Sequence, residues 1–209
     1  MLITLEELSK LLENRKIKIR GCLHIGAHLC EEISIYNSIG VANEDIIWIE
    51  ANEVLVKSAK NKNILNIYNA IITDIDYSCV VFNKANDTSS SSILSMLEHK
   101  KVYPNISYIE GCNRYGITID TFLALHNIDE TRYDFMNIAI QGAELLALKG
   151  SVCFIKHCKI IYCKIHEIEL YKNCASIKEL DEFLLPHGFI RVLTITTEKG
   201  WGDAIYIRL

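Results

Sequence analysis

Short apolar runs alternate with helix-forming segments along the first third of the chain, and this alternation restricts the fold more than any other feature. The runs occupy residues 17–25, 46–49 and 64–72. Acidic residues follow the first run, and Asn52 follows the second in the position of a helix N-cap. A strand–helix–strand–helix–strand series of this kind predicts a parallel sheet with helices on both faces.

The alternation continues through the chain and changes only near the C-terminus. Further strands are predicted at residues 77–83, 135–140 and 159–165, and further helices at residues 118–127, 142–149 and after a capping box at Ser176 and Glu179. The last two apolar runs, residues 189–196 and 204–209, are separated by a short connection that contains glycine. This predicts an antiparallel hairpin at the end of a mostly parallel α/β fold.

The N-terminal residues carry a helix signal of their own. Thr4 and Glu7 form a capping-box pattern, and the leucines at positions 5, 8, 11 and 12 then share one face of a helix that ends near Asn14. The full length of 209 residues suits one α/β domain. We therefore expect residues 1–18 to form a helix that packs on a single domain of residues 19–209.

Charge and composition exclude several classes of function. The net charge of -4 and the absence of long Lys/Arg runs argue against a nucleic-acid partner. The first ten residues contain acidic side chains, which a secretory leader lacks, and no stretch has the ~20 apolar residues that a membrane span needs. We expect a soluble, cytoplasmic protein without a membrane partner. The composition does not indicate an oligomeric state.

The eight cysteines are scattered and form no C-x-x-C pair. Cys153, Cys158 and Cys163 lie near two histidines, but their spacing does not match that of a structural zinc site. We expect reduced and mostly buried thiols, and no metal.

The ends of the first two predicted strands carry the clearest chemical signal. Gly26 would allow the backbone to approach a ligand closely, and Glu50, 24 residues later, is placed to accept hydrogen bonds from both hydroxyls of a ribose. A tight turn and an ordinary surface glutamate would give the same pattern. A single glycine and a nearby Glu31 disfavour a dinucleotide, whose phosphates need a glycine-rich loop, whereas the cation of S-adenosylmethionine tolerates an acid.

A series of ordered strings identifies a resemblance over nearly the whole chain. The strings LHIGAHLCEE, IWIEAN, NAIITD, SSSIL, IQGAELLALKG, ELDEFL and WGDAIYIR resemble the FkbM-type methyltransferase family. The resemblance implies a seven-stranded, Rossmann-like, S-adenosylmethionine-dependent methyltransferase fold and methylation of a hydroxyl on a sugar or other small acceptor. It also implies that Gly26, Ala27 and His28 contact the methionine end of the cofactor, that Glu50 holds the ribose with Asn52 beside it, and that Asn69 and Ala70 approach the adenine.

Two departures from the family pattern affect the expected catalytic residues. Where relatives commonly have an acid in the string I-D-I-Q-G-A-E, this chain has Ala139, and Lys164 replaces a second acid on a later strand. The remaining candidate bases are His166, Glu144 and Glu167, while Gln141 could orient an acceptor hydroxyl without taking its proton. Glu144 has an alternative role, because an acid in the first turn of a helix also favours the helix dipole.

The sequence therefore supports two main hypotheses. The first is a methyltransferase acting on a glycan or other small hydroxylated acceptor, and the second is a catalytically inactive relative that keeps the fold as a binding or scaffold module. A nicotinamide-dependent oxidoreductase is a distant third. The Ser-rich residues 88–92 could bind a ligand or form a solvated loop, and we expect Trp201 to anchor the terminal hairpin and Asp203 to accept from turn amides.

Overall fold

A computed structural model describes residues 1–209, which form two sheets and seven α-helices. The strands are β1 (Cys22–Ile25), β2 (Ile46–Glu50), β3 (Ile67–Asn69), β4 (Ile71–Ile72), β5 (Cys79–Ala85), β6 (Tyr108–Ile117), β7 (Phe135–Ile138), β8 (Ile160–His166), β9 (Phe189–Thr196) and β10 (Trp201–Arg208). The helices are α1 (Leu5–Arg15), α2 (Ile33–Ser38), α3 (Glu53–Asn61), α4 (His99–Val102), α5 (Ile119–Leu125), α6 (Glu144–Lys149) and α7 (Ile177–Leu184).

The larger sheet has seven strands in the order β3-β2-β1-β7-β8-β10-β9. Strands β3, β2, β1, β7 and β8 pair in parallel, and β10 pairs antiparallel with both β8 and β9. The predicted α/β class and the terminal hairpin are thus confirmed. The chain order reverses between β1 and β7, which is where ligands bind in open sheets of this kind.

The smaller sheet was not predicted as a separate unit. It has three strands in the order β4-β6-β5, with β6 antiparallel to β5 and parallel to β4. The single strand predicted at residues 64–72 is wrong, because the chain leaves the large sheet after Asn69 and β4 joins the small one. Strand β6 was missed because the polar and small residues 110–114 interrupt its apolar residues, and because it buries only Gly116.

Several boundaries also differ from the prediction. The strand predicted at residues 17–25 begins only at Cys22, where pairing with β2 and β7 starts. The strand predicted at residues 135–140 ends at Ile138, because Gln141 and Gly142 adopt positive φ angles and turn the chain. Helix α6 accordingly begins at Glu144 rather than at residue 142. Both predicted capping boxes are present.

Side chains from alternate positions of the central strands enter two cores, one on each face of the large sheet. Leu23 of β1 lies in one core with Phe122 of α5, whereas the neighbouring Cys22 lies in the other with Tyr36 of α2. Leu8 of α1 is fully buried in this second core, so the N-terminal helix packs on the sheet. None of the helices combines the length and apolar character that a membrane span needs.

Candidate functional site

A cavity opens at the carboxyl ends of β1, β2 and β7, and we call it the main cavity. The empty space in it, which includes open solvent at the mouth, amounts to about 580 Å³. Small and apolar side chains predominate, with Glu50 as the acidic group. The part formed by the strand ends is lined by Ile25, Gly26, His28, Ile49, Glu50, Ala51, Ala70, Ile71, Ile72, Ala139, Ile140, Gln141 and Ala143.

Gly26 occupies the closest approach between the turn after β1 and the turn after β7. Its φ angle is +86°, and a Cβ atom built on it would lie 2.2 Å from the carbonyl oxygen of Ala139. Its N–H donates to the carbonyl of Ile49 at 2.9 Å, which ties the turn to β2. Only glycine fits this position, and its missing side chain leaves the backbone open to a ligand.

Glu50 ends β2 with both carboxylate oxygens already oriented. Oε2 accepts from the backbone N–H of His28 at 2.8 Å, and Oε1 accepts from that of Asn52 at 2.8 Å. Burial raises the pKa of Glu50, and the two N–H donors act against this rise. Each oxygen keeps lone-pair capacity for a further donor, as two ribose hydroxyls would require.

His28 links the turn after β1 to the Ser-rich residues 88–92. Its φ angle is +48°, and its ring contacts Glu31 Oε1 at 2.8 Å and Thr88 Oγ1 at 2.9 Å. Ser92 is buried and donates from Oγ to the carbonyl of Gln141 at 2.8 Å. The Ser-rich segment is therefore held across the cavity on both sides, with Ser90 and Ser92 buried and Thr88 and Ser89 exposed.

Gln141 and Glu144 form a tight turn at the end of β7. Gln141 has a φ angle of +56°, which is uncommon for a residue other than glycine, and its Oε1 accepts from the hydroxyl of Tyr171 at 3.3 Å. The carboxylate of Glu144 is buried and accepts from the N–H groups of Ile140 and Gly142, both at 2.9 Å. Burial raises the pKa of Glu144 to about 7. Glu144 thus holds the turn and does not line the main cavity.

His166 lies beneath this turn and not in the main cavity. Only 3% of the residue is exposed, Nε2 is 3.9 Å from Glu144 Oε2, and neither ring nitrogen has a hydrogen-bond partner. Burial lowers the pKa of His166 to about 3. An imidazole in this position is neutral and out of reach of a ligand in the cavity, so the geometry does not support the role of base expected from the sequence.

Two further depressions adjoin the main cavity. The side chamber is bordered by Gln141, Lys164 and aromatic residues, and the acidic cleft lies beside Ala139; both depressions share Ser89, Gln141 and Lys164. The side chamber is lined by Asp87, Ser89, Ser90, His99, Tyr103, Ile106, Gln141, Lys164, Leu170, Tyr171 and Trp201. The acidic cleft is lined by Met1, His24, Gly26, His28, Glu31, Glu32, Ser89, Asn137, Ala139, Gln141, Tyr162, Lys164 and Asp203.

The terminal hairpin contributes to these depressions in a way the sequence did not indicate. Asp203 does not accept from turn amides; its carboxylate accepts from the hydroxyl of Tyr162 and from the N–H of Leu2. Trp201 donates from its indole N–H to the hydroxyl of Tyr103 at 2.7 Å, which does anchor the hairpin, and it also lines the side chamber.

Four of the seven predicted cofactor-binding residues line the main cavity, namely Gly26, His28, Glu50 and Ala70. The other three lie just behind it. Ala27 is fully buried, Asn52 caps α3 by accepting from the N–H of Val54, and Asn69 donates to the carbonyls of Glu50 and Ala51. Asn52 and Asn69 therefore position the end of β2. Of the predicted catalytic residues, only Gln141 reaches the main cavity.

Comparison with known proteins identifies the family. The family model for the methyltransferase FkbM domain matches residues 24–191, which is most of the chain. The protein belongs to the FkbM methyltransferase family. This membership agrees with the S-adenosylmethionine expected from the sequence. No curated protein matches the chain of this FkbM-family member.

Solved structures similar to this FkbM-family chain have low sequence identity to it. A protein of the NADB-Rossmann superfamily from Streptococcus agalactiae has a TM-score of 0.51 and 12% identity, with 98% of this chain and 67% of that chain covered. Magnesium protoporphyrin IX methyltransferase from Synechocystis PCC 6803 has a TM-score of 0.48, 10% identity and coverages of 98% and 78%. An O-methyltransferase from Bacillus cereus has a TM-score of 0.48, 15% identity and coverages of 97% and 78%.

Proposed function

We propose that this protein transfers a methyl group from S-adenosylmethionine to a hydroxyl of a small acceptor such as a sugar. The observation that carries the proposal is that Gly26 and Glu50 face one cavity at the reversal point of the sheet. Their backbone is fixed by the hydrogen bonds of the two turns, so the site is preorganised.

The main cavity suits the adenosine part of this cofactor. Glu50 would accept from the ribose hydroxyls, while Ala70, Ile71 and Phe82 offer apolar surface to an adenine ring. The turn at Gly26 and the carboxylates of the adjoining acidic cleft would hold the charged methionine end. When bound, the cofactor supplies the electrophilic methyl group.

The protein's own residues would contribute mainly by positioning. Gln141 lies where the main cavity, the side chamber and the acidic cleft meet, so its amide can orient an acceptor hydroxyl. Glu144 and His166 lie behind it, where Glu144 fixes the backbone of the turn. Holding the acceptor oxygen close to the methyl group is a large source of rate acceleration in a displacement of this kind.

The second candidate is a relative that binds the cofactor without turnover. It is favoured by the methyl side chain of Ala139, which lines both the main cavity and the acidic cleft where relatives carry an acid. With His166 buried and Glu144 engaged, neither of these two predicted bases is free to take a proton from an acceptor.

Calorimetry with S-adenosylhomocysteine tests the binding site. Glu50→Gln should weaken its affinity by about tenfold to a hundredfold, because a charge-assisted hydrogen bond contributes roughly 1.5–3 kcal/mol. Glu44→Gln is the matched control, since Glu44 is exposed in the segment just before β2. Equal affinities of the two variants, or no affinity of the natural protein, would contradict the proposal.

Methyl transfer from labelled S-adenosylmethionine to a panel of sugars and hydroxylated small molecules tests the reaction. Incorporation of label that depends on Glu50 would support an active methyltransferase. Tight binding of S-adenosylhomocysteine together with no transfer to any acceptor would favour the inactive relative.

A further inference from the structure

Lys164 is a partly buried lysine without a hydrogen-bonding or ion-pair partner, and it lines both the side chamber and the acidic cleft. It projects from β8 directly opposite Asp203 of β10 in the antiparallel register. Its side-chain nitrogen makes no hydrogen bond or ion pair within the protein, although an ammonium group has three donors to satisfy. Burial lowers the pKa of Lys164, and the carboxylates of Asp203 and Glu144 act against this change.

Neither of these two carboxylates is bound to Lys164. Asp203 accepts from Tyr162 and Leu2, and both oxygens of Glu144 accept from the turn after β7. Their charges support a cation at residue 164, but its hydrogen-bonding capacity is left for something outside the chain. A partly desolvated ammonium without a hydrogen-bonding partner is stabilised when an anion binds to it.

The Lys164 nitrogen lies against one wall of the side chamber. It lies 3.8 Å from the centroid of the Trp201 ring, and Trp201 lines the side chamber but neither the main cavity nor the acidic cleft. The contact with the indole face favours the charged form of the amine. Lys164 therefore presents its charge beside Gln141, at the junction with the main cavity.

The other charged and titratable groups of the side chamber do not compete for an anion. The Asp87 carboxylate accepts from the hydroxyls of Ser89 and Ser90, so it is already engaged. Burial lowers the pKa of His99, which is therefore neutral near pH 7. The remaining walls are largely aromatic and apolar, including Tyr103, Leu170 and Tyr171. A chamber of this composition suits a ring-shaped ligand with one negative charge.

We propose that the side chamber is the acceptor site and that Lys164 binds a carboxylate of the acceptor, which makes the acceptor a hydroxy acid such as a uronic acid. This inference rests on the proposed methyltransferase function. A single cation matches a single negative charge, and the carboxylates of the adjoining acidic cleft would repel a more highly charged group such as a phosphate. Lys164 is thus a residue that determines specificity.

Matched acceptor pairs test the proposal. Methyl transfer is measured with D-glucuronate against D-glucose and with D-galacturonate against D-galactose. We expect kcat/KM to be higher for the uronates by about tenfold or more, the effect of one charge-assisted hydrogen bond. Lys164→Gln should reduce the ratio of kcat/KM values to about one. Lys164→Arg should keep part of the uronate preference because the charge remains. Lys178→Gln, on the exposed face of α7, is the control and should leave the ratio unchanged.

Binding measurements make the outcome independent of turnover. If no acceptor is methylated, binding of the four sugars to the protein loaded with S-adenosylhomocysteine is measured by NMR, and uronate binding that depends on Lys164 would support the proposal. Equal binding or transfer of uronates and neutral sugars, or no binding of either, would overturn it. Weaker affinity of Lys164→Gln for S-adenosylhomocysteine, with an unchanged uronate preference, would assign Lys164 to the cofactor's own carboxylate and would also overturn it. If the natural protein does not bind S-adenosylhomocysteine at all, the proposed function is refuted instead.

Discussion

Replacing Gly26 by alanine probes the contact that brings the turn after β1 against the turn after β7. The new methyl group would lie 2.2 Å from the carbonyl oxygen of Ala139 and 2.9 Å from its carbonyl carbon. The obstructing atoms belong to the backbone, which is held by the hydrogen bond from the Ala139 N–H to the carbonyl of Ile25 at 2.9 Å. The clash can be relieved only if the two turns separate.

The expected cost has two parts. A side chain at a φ angle of +86° costs roughly 1–2 kcal/mol, because its Cβ atom crowds the following carbonyl. Forcing extra volume into a packed contact costs typically about 1–3 kcal/mol more. Gly26→Ala should therefore lower the free energy of unfolding by about 2–5 kcal/mol. Because both turns line the main cavity, the variant should also lose affinity for S-adenosylhomocysteine.

Gly40→Ala separates the two parts. Gly40 has a φ angle of +90°, but a Cβ atom built there meets nothing within 4 Å. In denaturant unfolding, Gly40→Ala should lose only the backbone part of the stability cost, whereas Gly26→Ala should lose both parts. In calorimetry, Gly40→Ala should bind S-adenosylhomocysteine with unchanged affinity. If the two variants lose equal stability and Gly26→Ala binds as the natural protein does, the argument from close approach is refuted.

Two further predictions concern buried titratable groups. The folded pKa of Glu144, about 7, is above its unfolded value of about 4.3, so its protonation stabilises the fold at low pH and this contribution is lost as pH rises to about 8. The unfolding free energy of the natural protein relative to Glu144→Gln should fall by about 3 kcal/mol between pH 4 and pH 8, and a constant difference would contradict this. For His166 the folded pKa of about 3 is below the unfolded value of about 6.5, so stability is lost as pH falls. His166→Phe should reduce this loss between pH 6.5 and pH 4 in denaturant titrations, whereas an unchanged acid sensitivity would place the titrating group elsewhere.

Part of the site could be read from local patterns. The glycine after β1 and the acid at the end of β2 lie near each other because the two strands are parallel neighbours and place their carboxyl ends at one edge. Gly26 and Glu50 were therefore predictable. The roles of Asn52 and Asn69 were harder, since an amide beside a ligand and an amide that braces a strand end look alike in a sequence.

Whether a candidate catalytic residue can reach a ligand depends on its burial, which the spacing of residues in the sequence does not reveal. His166 follows Lys164 by two residues on β8, so both side chains leave the same face of the strand, yet His166 is sealed beneath the turn after β7 while Lys164 reaches the side chamber. The residues Asp87, His99 and Tyr103 of that chamber carried no signal, because the segment between β5 and β6 consists of loops and short helices without a clear side-chain period.

The sequence by itself determined the α/β alternation that builds the large sheet, the terminal hairpin, the two capping boxes and the family. These follow from side-chain period, from turn and cap chemistry and from ordered strings, all of which act between residues close along the chain. The tertiary structure alone decided that three depressions meet at Gln141 and that the Glu144 carboxylate accepts from backbone N–H groups. It also decided that Lys164 has no hydrogen-bonding or ion-pair partner. Burial and charge pairing depend on which distant segments become neighbours, and only the folded chain brings residues 87–103, 141, 164 and 201 together.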